Sequence, residues 1–197
     1  MDEIFGRDNF ISRIAIEARS PSAFSTVNPG VFKASEYLLW YAKDRDIFRE
    51  NPVRIPRDPD YAYNQWICNP DDDFTQWTYI PIRQAYEQQT GRKRMTGGRD
   101  RAFDAFMIEH ATRIFRLTAI SDSGAGRAKV EAKRESQENP DRILRVDRGS
   151  QYEPQFITKG QQISFYDRNV STIDGSRTAT KMLTNIWTDI AWEGIAA

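Results

Sequence analysis

The sequence predicts a mixed α/β chain, and three observations carry that prediction. Two N-terminal stretches, Asn9–Ala18 and Glu36–Ala42, are rich in β-branched and aromatic residues and read as strands. The middle of the chain holds apolar residues at helical spacing, with helix-closing residues at the ends. The last third contains a short strand pair around Lys159-Gly160 and a tight-turn signal at Asp174-Gly175.

In Glu36–Ala42 (EYLLWYA) nearly every side chain is apolar and polar residues close both ends, the pattern of a strand buried on both faces. In Asn9–Ala18 (NFISRIAIEA), Phe10, Ile14 and Ile16 share one parity, and Ile11 breaks it. The turn-rich SPSAFSTVNPG lies between, so two neighbouring antiparallel strands with a long connection are expected. Residues 44–76 carry eight acids against four arginines, net −4, and Pro52, Pro56, Pro59 and Pro70 break any long helix. This segment reads as an acidic, proline-rich surface loop pinned by Tyr61, Tyr63 and Trp66.

A helix is expected from about Pro81 to Thr90, ended by Gly91. The basic, glycine-containing turn Arg92–Arg101 follows, and Asp100 or its neighbour is placed to cap the next helix. That helix is expected over Ala102–Leu117, with Phe103, Phe106, Met107, His110, Ile114 and Leu117 on its apolar face. His110, the only histidine, therefore reads as a packing residue. Ser121–Pro140 has almost no large apolar side chains and reads as a loop or an exposed helix over Arg127–Gln137. Arg142–Val146 is a short strand candidate, and Gln155–Tyr166 a hairpin.

The chain has 197 residues and a formal net charge of zero, so no global field draws it to nucleic acid or membrane. No run is long enough for a membrane helix, and the acidic, mixed start is unlike a signal peptide. The lone Cys68 excludes an internal disulfide and suits a reducing cytoplasm. One histidine argues against histidine metal clusters and Ser-His-Asp triads. The neutral total hides a basic centre: between Gly91 and Gly149, 14 bases face nine acids, net +5. Arg92, Lys93, Arg94, Arg99, Arg101, Arg127, Lys129, Lys133 and Arg134 are the candidate DNA contacts, since arginine-rich turns grip phosphates and arginine forks read guanine. A solvated charged surface is the plainer alternative.

Four stretches carry a family resemblance. Asp2-Glu3-Ile4-Phe5-Gly6-Arg7-Asp8-Asn9-Phe10-Ile11, and then Ser35-Glu36-Tyr37-Leu38-Leu39-Trp40-Tyr41-Ala42-Lys43, resemble the "EIFG-x-NF" and "EY-(apolar)-YAK" segments of bacterial DNA adenine methyltransferases. The closest group is the modification subunits of type III restriction systems. Near the other end, Ile173-Asp174-Gly175 and Leu183-Thr184-Asn185-Ile186-Trp187-Thr188-Asp189-Ile190 resemble the "IDG…LTDIW-x-DI" run that closes the family's target-recognition region.

The resemblance implies a partial methyltransferase sheet of two strands over 1–43, then the acidic loop 44–76. An α+β target-recognition region with helices and a hairpin spans 77–182, and 183–197 returns toward the cofactor half. It implies double-stranded DNA as partner, a homodimer, a restriction subunit in the intact system, and S-adenosylmethionine as the intact enzyme's cofactor. The family's (D/N)PP(Y/F) tetrapeptide and Phe-x-Gly-x-Gly turn have no match. Asp58-Pro59-Asp60-Tyr61 lacks the second proline and follows no apolar strand. Ser123-Gly124-Ala125-Gly126-Arg127 lacks the GKS/T ending of a phosphate loop. The expectation is therefore a central portion without catalytic or cofactor residues. Trp187 and Asp189, with Trp192 nearby, are candidates for a wall of the base pocket, against ordinary packing. Two other classes stay open: a stand-alone nucleic-acid-binding module, and an assembly piece.

Overall fold

Phe10, Ile14 and Ile16 point to one side only if the backbone around them is extended, and it is. The structure, a computed structural model, describes residues 1–17, 35–150 and 152–188. It divides into two compact units. One is made of residues 1–55 and 182–197, the other of the continuous stretch 56–181.

In the first unit a short helix α1 (Asp2–Phe5) leads into β1 (Phe10–Glu17), which pairs antiparallel with β2 (Ser35–Tyr41). Ile14 faces Leu38 and Ile16 faces Glu36, and the register slips between Phe10 and Ser12, where Ile11 breaks the alternation. The rings of Phe5 and Phe10 lie 5.3 and 5.4 Å from that of Tyr41, whose hydroxyl donates to Asp2 Oδ1 at 2.6 Å. The expectation of a strand buried on both faces is corrected: Tyr37, Leu38 and Leu39 are 57, 44 and 40% exposed. Among the described residues β2 pairs only with β1, and none of the buried apolar clusters includes a side chain of β2. The connection expected at Ser20–Gly30 lies outside the described residues.

β3 (Arg54–Pro56) leads out of this unit. The second unit is built on an all-antiparallel sheet in the order β5-β4-β6-β9-β8-β7. Its strands are β4 (Gln65–Ile67), β5 (Tyr79–Pro81), β6 (Ile114–Ala119), β7 (Leu144–Val146), β8 (Gln155–Thr158) and β9 (Gln161–Phe165). The helices are α2 (Ile82–Thr90), α3 (Arg101–Glu109) and α4 (Arg127–Glu138). Two results differ from the sequence reading. The acidic segment does not stay on the surface, since β4 is an interior strand and Trp66 and Ile67 are buried. The long helix over Ala102–Leu117 does not form. It ends at Glu109, a 3₁₀ turn spans Ala111–Arg113, and β6 begins at Ile114.

The apolar spacing that suggested one helix also fits a helix followed by a strand. Ile114 and Phe115 are both fully buried, on opposite faces of the sheet. β4 and β9 flank β6 and take its backbone hydrogen bonds, which outweighs local helix propensity. Ile114 and Trp66 join Phe103, Phe106 and Met107 of α3 and Tyr86 of α2 in one core. His110 packs there too, 4.6 Å from the Phe106 ring and 5.4 Å from that of Trp66. Phe115, Ile67 and Ile163 form the core of the opposite face under Trp77, Phe156 and Phe165. α4 covers β7 and β8 through Ala132, against Ile157 and Val146.

The two turns expected from sequence are present. Lys159 and Gly160 (φ 51° and 73°) join β8 to β9. Asp174 and Gly175 (φ 49° and 77°) join β10 (Val170–Ile173) to β11 (Ser176–Met182). A last strand, β12 (Ile186–Trp187), belongs to the first unit and pairs parallel with β1, Ala15 with Ile186 and Ile16 with Trp187.

Candidate nucleic-acid interface

Arg92–Arg101 is held at both ends. Gly91 closes α2 in the left-handed conformation (φ 70°), its N–H donating to Glu87 O at 2.8 Å. At the other end Asp100 caps α3. Its Oδ1 accepts from the N–H groups of Ala102 and Phe103, and its Oδ2 accepts from Met95 N at 2.9 Å. These backbone bonds, Met95's first, hold the Asp100 carboxyl below its ordinary range. Gly97 and Gly98, at φ 86° and 104°, supply the bend between these anchors.

The five cations of the turn divide into two groups. Arg92 and Arg101 are exposed and have no ion-pair partner among the described residues, and Lys93 Nζ lies 3.7 Å from Glu87. Arg94 is half-buried, and Arg99, itself exposed, is tied down by carboxylates. Arg99 reaches Asp58, and its Nε donates to buried Asp104 at 2.7 Å. Asp104 also accepts from the Tyr61 hydroxyl at 2.6 Å. Burial, then this hydrogen bond, raises the Tyr61 phenol above its ordinary range. Arg94 lies over the Tyr61 ring, 4.2 Å from its centroid, and 5.1 Å from that of Phe103.

The cations of α4 divide in the same way. Arg127 is exposed and donates to Glu131 one turn on, and Arg134 is exposed. Lys129 donates to Gln162 Oε1 at 2.6 Å, and burial depresses its pKa. Lys133 donates to Ile120 O and to Asp122. Lys129 and Lys133 thus tie α4 to the sheet side of the unit and are less free to meet a phosphate than Arg127 or Arg134. Trp187 is half-buried in β12 and donates from Nε1 to Thr184 O at 2.8 Å. Asp189 and Trp192 lie outside the described residues.

The sequence reading missed a cavity of about 370 Å³ beside Arg94, whose walls include Tyr61, Asn64, Gln65, Arg83 and Phe103. Arg83 is on the exposed side of α2, without an ion-pair partner among the described residues. The signal available was weak: one arginine outside the basic run, and two amides in a segment read as surface loop.

Comparison with protein-family models, with curated proteins and with solved structures finds no match to this chain. Among the described residues no group of three His, Cys, Asp or Glu is placed to hold a metal ion. None of their helices is long and apolar enough to cross a membrane. Among the described residues the one glycine-rich loop between a strand and a helix, Ser121–Gly126, is not shaped as a cradle for S-adenosylmethionine: it folds on itself, with Ser121 Oγ accepting from Gly124 N at 3.2 Å. Neither Gly124 nor Gly126 takes a positive φ there.

Proposed function

We propose that this chain is the central, DNA-recognition portion of a DNA adenine methyltransferase of the restriction–modification type. In this reading the intact enzyme transfers a methyl group from S-adenosylmethionine to the 6-amino group of a flipped adenine, and the present residues grip the surrounding duplex. One observation carries the reading beyond the motifs themselves. The parallel pairing of Ala15 and Ile16 with Ile186 and Trp187 joins the two ends that bear the resemblance in one sheet. The continuous unit 56–181 is inserted between those ends in sequence. An inserted α+β unit with its own core, interrupting a sheet that continues after it, is the organisation expected of a recognition region set within a catalytic one.

The gripping chemistry follows from the exposed cations. Arg92, Lys93 and Arg101 flank a backbone bend with two glycines, where the chain can approach a phosphate closely. An assembly role is the second reading, supported by the exposed Tyr37, Leu38 and Leu39 of β2. A fluorescence-anisotropy titration with a labelled duplex at low salt, competed by unlabelled single strand of the same length, separates the two. The proposal expects duplex binding that the single strand competes poorly. Absence of duplex binding at low salt removes it and leaves assembly ahead.

A further inference from the structure

We infer that the cavity beside Arg94 is a binding site for a phosphate group. The first argument is charge. Arg83 and Arg94 both line it, and no Asp or Glu is among its lining residues. Two guanidinium groups at one small cavity repel each other, and an anion between them turns that repulsion into attraction.

The second argument is the state of Arg94. Arg99, five residues on in the same turn, is neutralised by Asp58 and Asp104. Arg94 has no ion pair among the described residues, and its buried Nε has no hydrogen-bond partner there. The Nε itself is covered, while Arg94 as a whole is only half-buried, so an anion in the cavity meets the part of the fork that lines it and the covered Nε–H serves as the reporter. The two nearby buried acids make their hydrogen bonds elsewhere, although the Asp100 charge still acts on Arg94 at a distance. Asp100 accepts from three backbone N–H groups, and Asp104 from Tyr61 and Arg99. Stacking over Tyr61 and Phe103 holds the Arg94 fork in place before any ligand arrives, so little conformational entropy is lost on binding.

The third argument is the donor set. Asn64 Oδ1 accepts from Gln65 Nε2 at 3.1 Å, which occupies the Asn64 oxygen and leaves its amide N–H groups to donate. Arginine forks with amide donors and no carboxylate are the chemistry of phosphate recognition. The phosphate belongs either to a DNA backbone or to a free phosphate ester. The DNA source rests on the duplex reading above; the free source does not.

The test follows the side-chain Nε–H resonance of Arg94 in the full-length chain by NMR, assigned by its loss in Arg94→Lys. Inorganic phosphate is titrated at constant ionic strength against chloride. The expected result is a saturable shift with phosphate, none with chloride, and an apparent affinity at least several-fold weaker in Arg83→Gln. Arg83 is exposed, so this variant keeps the fold, and an unchanged amide spectrum checks that. No phosphate shift, or an Arg83→Gln titration identical to wild type, overturns the site.

Duplex DNA is then added in place of phosphate. A shift of the same resonance assigns the group to the backbone. A shift with phosphate but none with a duplex that binds by anisotropy assigns the site to free phosphate esters. If the duplex does not bind at all, the recognition reading fails while the phosphate result still decides the cavity.

Discussion

Arg99 donates from Nε to Oδ2 of Asp104 at 2.7 Å, joining an exposed basic turn to a carboxylate that is only 4% exposed. The Tyr61 hydroxyl completes the pair from the other side. Replacing Asp104 by alanine removes both acceptors. Hydrogen bonds to charged groups each contribute about 1.5–3 kcal/mol, and Arg99 keeps its pair with Asp58 and regains water at Nε. A loss of roughly 2–3 kcal/mol is therefore expected for Asp104→Ala. Urea unfolding monitored by tryptophan fluorescence reads it directly. A midpoint equal to wild type would show that the pair holds nothing.

Asp100 gives the acid dependence. Its folded pKa is depressed by the backbone donors, so it contributes stability above its unfolded value of about 4, lost as pH falls through the lower folded value. Asp122, depressed by Lys133, and Asp73, depressed by Thr75, act in the same sense. Asp100→Asn keeps a cap-forming oxygen but cannot titrate. Its urea midpoint is expected to fall less steeply than that of wild type below about pH 4. Parallel curves for the two proteins would contradict this assignment.

Phe115 tests β6. Its side chain is fully buried between Ile67 and Ile163, beside the rings of Tyr79 and Phe165. Phe115→Ala is expected to destabilise the chain by about 3–5 kcal/mol. On the long-helix reading Phe115 falls off the apolar face, and the change would be mild. The same denaturation experiment distinguishes the two.

The three-stranded sheet predicts association. Among the described residues β2 has an unpaired edge and exposes Tyr37, Leu38 and Leu39, a surface that attracts further strands. Light scattering is expected to show concentration-dependent oligomers, reduced by Leu38→Lys. Strict monomers at all concentrations would mean that the edge is protected.

The sequence made local signals legible and left long-range pairing hidden. The Asp100 cap, the Gly91 stop and the turns at Lys159-Gly160 and Asp174-Gly175 depend on a few adjacent residues, and all four are present. The local spacing of Ile114–Ala119 suggests a helix because its strand state depends on β4 and β9, both distant in sequence. β4 escaped notice for the same reason: three residues in a proline-rich segment become a strand only when a neighbour supplies hydrogen bonds. At the candidate interface, counting charges found the basic turn but not its division. Nothing local tells Arg92 from Arg94, whose partner Tyr61 lies in a different segment. Asn64, Gln65 and Arg83 came to notice only through the cavity they share.

The claim that this chain grips DNA is tested most directly by a salt titration of duplex binding, comparing wild type with the triple variant Arg92→Ala, Lys93→Ala, Arg101→Ala. Each phosphate contact adds about −0.9 to the slope of log K against log salt. These three cations are exposed and carry no buried contacts, so the fold is expected to be unchanged. The account predicts weaker binding to any duplex and a slope flatter by about 2–3 units. Equal slopes for the two proteins, with both folded, would contradict it.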